Sequence, residues 1–284
     1  MPRTRSGPAA PPYHRSGEGS PLVLLHGLTG TWRIWRPVIP LLEPHHDVIA
    51  PTLLGHAGGA AYASGGEISV KSLADDVERV LDEVGVDRPH VAGNSLGGWL
   101  SLELAARGRP ASVIAFSPAG GWTTEAQLAR VSKLILQGFK AANVAPESVL
   151  RILRRPRARL WGFRSTMAHG DRVPAAAAFE LLDDLVSCSA LEPILEATLR
   201  DGPFDGDLQD VTFPIRVAWG ELDRTIPFQD YGEPLLKHVP TAELLELPGV
   251  GHVPMYDDPQ LVAQTILDVT GAVDRAATVA STGP

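Results

Sequence analysis

The chain has 284 residues, enough for one sizeable core carrying an insertion and better suited to that than to two equal domains. A formal net charge of −8 argues against nucleic acid as a general partner, and the apolar share is ordinary for a globular protein in water. The single cysteine, Cys188, excludes an internal disulfide and lies outside any Cys/His cluster, so it reads as a buried structural thiol in a reducing compartment.

The first twelve residues carry arginines without an apolar stretch behind them and read as a flexible arm, not a signal peptide. No later run is long and apolar enough to span a bilayer, and these features together predict a cytoplasmic protein. The first firm element is the near-continuous apolar run 21–26, of the kind buried on both faces of a parallel sheet. A helical stretch over about 32–42 and a strand over 46–50 follow, ended by the turn-rich segment 51–59. Val70, Leu73, Val77, Val80, Leu81 and Val84 recur at helical spacing opposite Asp75, Asp76, Glu78 and Arg79, and Gly85 stands where glycine ends a helix. Next come an apolar run closing on His90, Val91 and Ala92, the pentapeptide Gly93-Asn94-Ser95-Leu96-Gly97, an apolar helix to Arg107, and a strand over 111–116.

From Trp122 to about Leu199 the alternation stops: helical patterning covers 125–137, 147–153, 175–187 and 190–199, with no convincing strand. Strand patterning resumes at 214–219 and 242–247, and a last helix begins at Asp258 with Pro259 in its first turn. Residues 271–284 are small, polar and unpatterned and read as a disordered tail. Alternating strands and helices predict an α/β fold with a mainly parallel, doubly wound sheet, interrupted once by an all-helical block. The expected division is a discontinuous core over 1–121 and 200–284, flexible at 1–12 and 272–284, with a helical cap over 122–199.

Gly-x-Ser-x-Gly between a strand and a helix holds a serine at a sharp turn above a helix N-terminus, which favours negative charge. Alone the pattern is weak, so its partners must also follow strand ends, where open α/β sheets collect functional groups. The run at 21–26 ends in His26-Gly27-Leu28-Thr29-Gly30, where the backbone N–H of Leu28 could face the same point as that of Leu96. Two convergent amides of this kind make an oxyanion hole. The strand at 214–219 is followed by Gly220-Glu221-Leu222-Asp223, a carboxylate source, and the strand at 242–247 by Gly251-His252.

Taken together with Leu54-Gly55-His56 and Asp258-Pro259, these pieces resemble the α/β-hydrolase family, in its capped esterase and carbon–carbon-bond-hydrolase branch. The resemblance runs from about residue 13 to about 270. It implies Ser95 as nucleophile, His252 as general base and acid, and Asp223 as the group holding the imidazole, although Glu221 stands two residues away. It also implies a helical cap and a small-molecule substrate. Haloalkane dehalogenases and soluble epoxide hydrolases resemble this fold but attack with aspartate where this chain has Ser95, which argues against those activities. Thr52 and Ala57 depart from the family's Asp-x-x-Gly-His-Gly turn, and His56 reads as a loop anchor. The family's opening hairpin is reduced to 12–17, so the usual first edge strand is expected to be missing.

Within this family the expected reaction is cleavage of a carboxylic ester of a small to medium apolar substrate through an acyl-enzyme. The alternatives are hydrolysis of carbon–carbon bonds in ring-cleavage products, whose enzymes carry a longer glycine-rich oxyanion loop, and perhydrolysis. A reading from another class is a slow or non-catalytic ligand receptor on the same scaffold. Trp32, Thr29 and Trp122 are candidates to line the substrate pocket, though Trp32 and Trp35 are equally explained by packing of the first helix. Arg151, Arg154, Arg155, Arg157, Arg159 and Arg164 crowd the cap without an acid among them, either as an anion-attracting rim or as a solvated face. No spacing of Cys, His, Asp or Glu suggests a metal and no glycine-rich loop suggests a nucleotide, so no cofactor is expected, and homo-oligomerisation stays open.

Overall fold

The computed structural model describes residues 12–62, 68–145 and 151–282. Seven strands form one sheet: β1 (Tyr13–Ser16), β2 (Ser20–Leu25), β3 (His46–Pro51), β4 (His90–Asn94), β5 (Ser112–Phe116), β6 (Ile215–Gly220) and β7 (Glu243–Leu247), in the order β1-β3-β2-β4-β5-β6-β7. All neighbours are parallel except the edge strand β1, which runs antiparallel to β3 with Tyr13 opposite Pro51. The continuous apolar character of β2 has a simple cause. Leu22 and Leu24 enter the core layer that holds Trp35, Ile114 and Ile266, whereas Val23 and Leu25 enter the opposite layer with Leu73, Val77 and Leu100.

In chain order the helices are α1 (Ile39–Leu42), α2 (Val70–Glu83), α3 (Leu96–Ala106), α4 (Glu125–Val144), α5 (Pro156–Gly162), α6 (Ala175–Val186), α7 (Leu191–Asp201), α8 (Glu233–Leu236), α9 (Pro254–Asp257) and α10 (Pro259–Thr282). The amphipathic α2 begins with a reciprocal cap, in which the Ser69 and Ser72 hydroxyls each accept the other residue's N–H at 2.9 Å. Among the described residues four α-helices, α4 to α7, lie between β5 and β6, and no strand interrupts them.

Several sequence expectations change. The helix expected over 32–42 splits into a 3₁₀ turn (Trp32–Trp35) and the single turn α1, because Pro37 lacks the N–H that would continue the ladder. The helix expected over 147–153 lies partly outside the described residues, and its remainder belongs to a 3₁₀ turn, Arg151–Arg154. The flexible arm over 1–12 also falls outside them, apart from Pro12. The disordered tail is overturned, since α10 continues to Thr282.

Anchors that a hydropathy pattern does not register hold this last helix. Asp274 accepts from the Ser20 hydroxyl at 2.7 Å and pairs with His90 Nε2 at 3.0 Å, and Thr270 lies 2.9 Å from His46 Nε2. A row of small residues is thereby tied to the amino ends of β2, β3 and β4 by polar side chains.

Candidate active site

Ser95 is the hinge between β4 and α3, with φ 57° and ψ −115°. Glycine makes this turn sterically feasible on both sides. A Cβ on Gly97 would lie 2.2 Å from the Leu25 carbonyl oxygen, and one on Gly93 would lie 2.1 Å from that of Gly97. The Ser95 N–H donates to Phe116 O at 3.0 Å, and its carbonyl accepts from Trp99 and Ala119 N–H. Its hydroxyl makes no capping bond to the helix and faces the cavity described below.

His252 follows β7 on a loop held from three sides. The Asn94 amide, next to the serine, donates to His252 O at 2.8 Å and to Phe116 O at 3.1 Å. Val253 N–H donates to Thr166 O at 2.8 Å, and Gly251 N–H to Asp257 Oδ2 at 2.8 Å. The ring Nδ1 lies 2.8 Å from Asp223 Oδ2, while Asp223 Oδ1 accepts the N–H groups of Thr225 and Ile226 at 2.9 Å. With Nδ1–H directed at a carboxylate that is itself held by two amides, Nε2 is left as the basic nitrogen. Glu221 is engaged elsewhere, accepting Gly249 N–H at 2.7 Å, so the choice between the two acids falls to Asp223.

The loop after β2 closes through Gly30 N–H to Gly27 O at 3.0 Å, with Thr29 at φ 69°. It comes so near the serine that a Cβ on Gly27 would be 3.2 Å from Ser95 Cβ. Among the described residues the backbone N–H groups of Leu28 and Leu96 make no hydrogen bond to the protein, and both residues border the same cavity as Ser95 and His252. Below this loop His26 donates from Nδ1 to Gly27 O at 2.8 Å and accepts Leu53 N–H at Nε2 at 2.9 Å. Burial first, then the neighbouring His56, hold its pKa well below the ordinary imidazole range. His56, its ring centroid 4.9 Å away, bonds Leu54 O and is pushed down to about 4 by burial. Both are neutral loop anchors.

Two buried carboxylates that sequence reading missed tie this site to the helices above it. Asp184, on α6, accepts from the Thr31 hydroxyl at 2.7 Å and from Arg33 Nη1 at 3.2 Å, just beyond the β2 loop. Asp257 accepts from Ala168 and His169 N–H at 2.8 and 2.7 Å as well as from Gly251, and the Arg172 guanidinium donates to its carbonyl. A helix-borne aspartate gives no local sign of such a partner. The one available signal was the position of Asp257 two residues from Pro259, at the mouth of a helix.

The cavity holds about 510 Å³ between the carboxyl ends of the strands and the inner faces of α4, α6 and α7. Thr29 and Trp122 border it, together with Trp99, whose ring meets Trp122 edge-on at 5.3 Å and whose Nε1 donates to Glu103. Trp32 does not line it. Its ring stacks on His14 at 4.8 Å beneath the Arg36 guanidinium, and Trp35 is fully buried against Phe116, so packing accounts for both. No Lys, Arg, Asp or Glu borders the cavity among the described residues. Burial pushes the Cys188 thiol up to about 12, which makes it inert.

Of the arginines in 151–164, Arg159 is buried and donates to the carbonyls of Leu153, Arg154 and Asp171, while the others are exposed. Among the described residues no His/Cys/Asp/Glu group could hold a metal ion, and no helix is long and apolar enough to cross a membrane.

Residues 22–265 match the alpha/beta hydrolase family. Over 197 residues the chain is 36% identical to an epoxide hydrolase, EphH, of Mycobacterium tuberculosis, covering 68% of this chain and 91% of that one. It is 28% identical over 240 residues to the 2-hydroxy-6-oxo-2,4-heptadienoate hydrolase of Pseudomonas putida, covering 76% of each. The fold superposes on a thermophilic esterase from Thermogutta terrifontis with a TM-score of 0.65, at 19% identity, over 96% of this chain and 98% of the other.

Proposed function

The chain belongs to the alpha/beta hydrolase family and is a hydrolytic enzyme, and from that premise we propose that it cleaves esters of apolar carboxylic acids. In this reading Ser95 attacks the acyl carbon, and His252 Nε2 takes its proton and returns it to the leaving alcohol. Asp223 holds the imidazole in the required tautomer. The N–H groups of Leu28 and Leu96 receive the developing oxyanion, and water then releases the acid by the same route. Residues 122–199 act as the cap that excludes solvent from the reacting bond.

The observation that carries the substrate class is the lining of the cavity. It is apolar, with hydroxyls and three tryptophans but no Lys, Arg, Asp or Glu among the described residues, so a neutral substrate loses little on entering. A dienoate, as named for the P. putida relative's substrate, would bury a carboxylate with no cation beside it. The epoxide hydrolase reading needs a carboxylate at the position of Ser95, because ring opening through an ester intermediate uses a carboxylate nucleophile.

A single experiment separates these. A fluorophosphonate probe should label the wild type and leave Ser95→Ala unlabelled, and p-nitrophenyl esters of increasing chain length should be hydrolysed by the wild type alone. A well-folded wild type that takes no label, or that turns over a dienoate or styrene oxide faster than any ester, would reverse the assignment.

A further inference from the structure

The exposed residues of the 3₁₀ turn Arg151–Arg154, of α5 and of Arg164 have a composition unlike the rest of the surface. Trp161 is 69% exposed, and Ile152 and Leu160, at 49% and 41%, are exposed beside it. Around them stand Arg151, Arg154, Arg155, Arg157 and Arg164, all exposed, in a chain whose net charge is −8. On α5, Arg157 and Trp161 fall at i and i+4, hence on one face, and Arg164 follows just past the end of the helix. The Arg164 guanidinium lies 4.0 Å from the Trp161 ring centre and donates to Trp161 O. Arg224 extends the same basic surface by donating to Arg164 O. The side chains of Arg154, Arg155 and Arg157 have no acidic partner among the described residues.

The patch is also the outer wall of the cavity. Leu153, Trp161, Gly162 and Phe163 border the interior, so the residues that reach solvent here are continuous with the apolar lining. An acidic protein seated on this face would cover that wall and leave Trp161, Leu160 and Ile152 against polar surface. A lipid surface accepts both halves of the patch. Its anionic headgroups meet the arginines, the tryptophan and aliphatic side chains enter the interfacial layer, and apolar molecules are delivered where the cavity begins. The net charge of −8 on the whole chain favours the approach of this basic face to an anionic layer.

We propose that the Arg151–Arg154 turn, α5 and Arg164 form a docking face for anionic lipid surfaces, holding the outer wall of the cavity against the bilayer. This goes beyond the ester reading and does not depend on which bond is cleaved.

The test is flotation of the full chain with phosphatidylcholine vesicles, with and without about one third phosphatidylglycerol. Binding is expected only to the anionic vesicles and should be lost at high salt. Exchanging Arg154, Arg155 and Arg157 together for Glu should weaken it on the order of a hundredfold, and exchanging them for Lys should retain most of it. Trp161→Ala should weaken it at unchanged charge. Circular dichroism checks the fold of each variant, and the Glu triple variant should hydrolyse a short soluble ester at the wild-type rate. That readout keeps failure of docking distinct from failure of the esterase reading. Absence of binding to anionic vesicles, or binding indifferent to charge reversal, would overturn the proposal. Competition by poly-glutamate that is equally strong in the wild type and in Trp161→Ala would overturn it in favour of an acidic protein partner.

Discussion

Gly138 lies on the inner face of α4, and a Cβ built there meets no atom within 4 Å. Its neighbours on the same face, from Leu128 to Ala142, also border the cavity, so the cavity follows α4 for roughly 20 Å at the helical rise of 1.5 Å per residue. Gly138→Leu should therefore fit without moving backbone, and should stabilise the helix by somewhat under about 1 kcal/mol. It should also occupy space that a long acyl chain would use. Values of kcat/KM for long-chain p-nitrophenyl esters are expected to fall about tenfold or more, with short esters unaffected. Equal losses across the chain-length series would mean that the chain runs elsewhere. Around Ser95 the residue-scale logic is different, because the glycines at 93 and 97 have backbone oxygens within 2.2 Å of any added Cβ. The residues that meet this need stand together in one pentapeptide, which is why the turn was legible in the sequence even though the oxygen that crowds position 97 belongs to Leu25 on β2.

Among the elements, α6 and the segment around Thr166–His169 are joined to the site by buried bonds. Asp184 grips Thr31 and Arg33 beyond the β2 loop, and Asp257 grips Ala168 and His169 beside the histidine loop. Asp184 accepts from two buried donors at once, and removing one partner of a buried ion pair typically costs about 3–5 kcal/mol. Asp184→Ala should show a loss of that order in urea unfolding and a lower kcat, because the loop bearing Leu28 loses its brace. A variant as stable as the wild type would show that Arg33 is satisfied by other means. These ties were invisible in sequence. The partners of Asp184 lie 153 and 151 residues away, and only packing of α6 over the sheet brings them together. The helical block itself was legible, since apolar periodicity belongs to each helix separately.

For the whole molecule, acid stability follows from the two neutral histidines beneath the β2 loop. His56 is pushed from the ordinary 6.5 to about 4, and His26 is lowered too, in both cases chiefly by burial. As pH falls through 6.5 the unfolded chain binds these protons and the folded protein does not. The contribution of His56 is therefore complete above 6.5 and declines toward about 4, by on the order of 1 kcal/mol per pH unit, and His26 adds a decline in the same direction. Urea midpoints measured from pH 8 down to pH ~4.5 should fall across that interval, and replacing His56 by Gln should flatten the decline. A flat profile in the wild type would contradict neutral burial. The sequence by itself determined the strands, whose apolar runs serve two core layers, the strained serine turn, and the chain order in which serine, acid and histidine follow strand ends. Tertiary structure alone decided that Glu221 is taken up by Gly249 N–H while His252 lies against Asp223, the acid that the family resemblance implied, that Trp32 packs on His14 away from the cavity, and that the last helix is held by Asp274. The division has a physical cause. Steric limits and hydrophobic period act within a few residues, whereas the partner of a buried charge or ring is set by elements that meet only when the chain has folded.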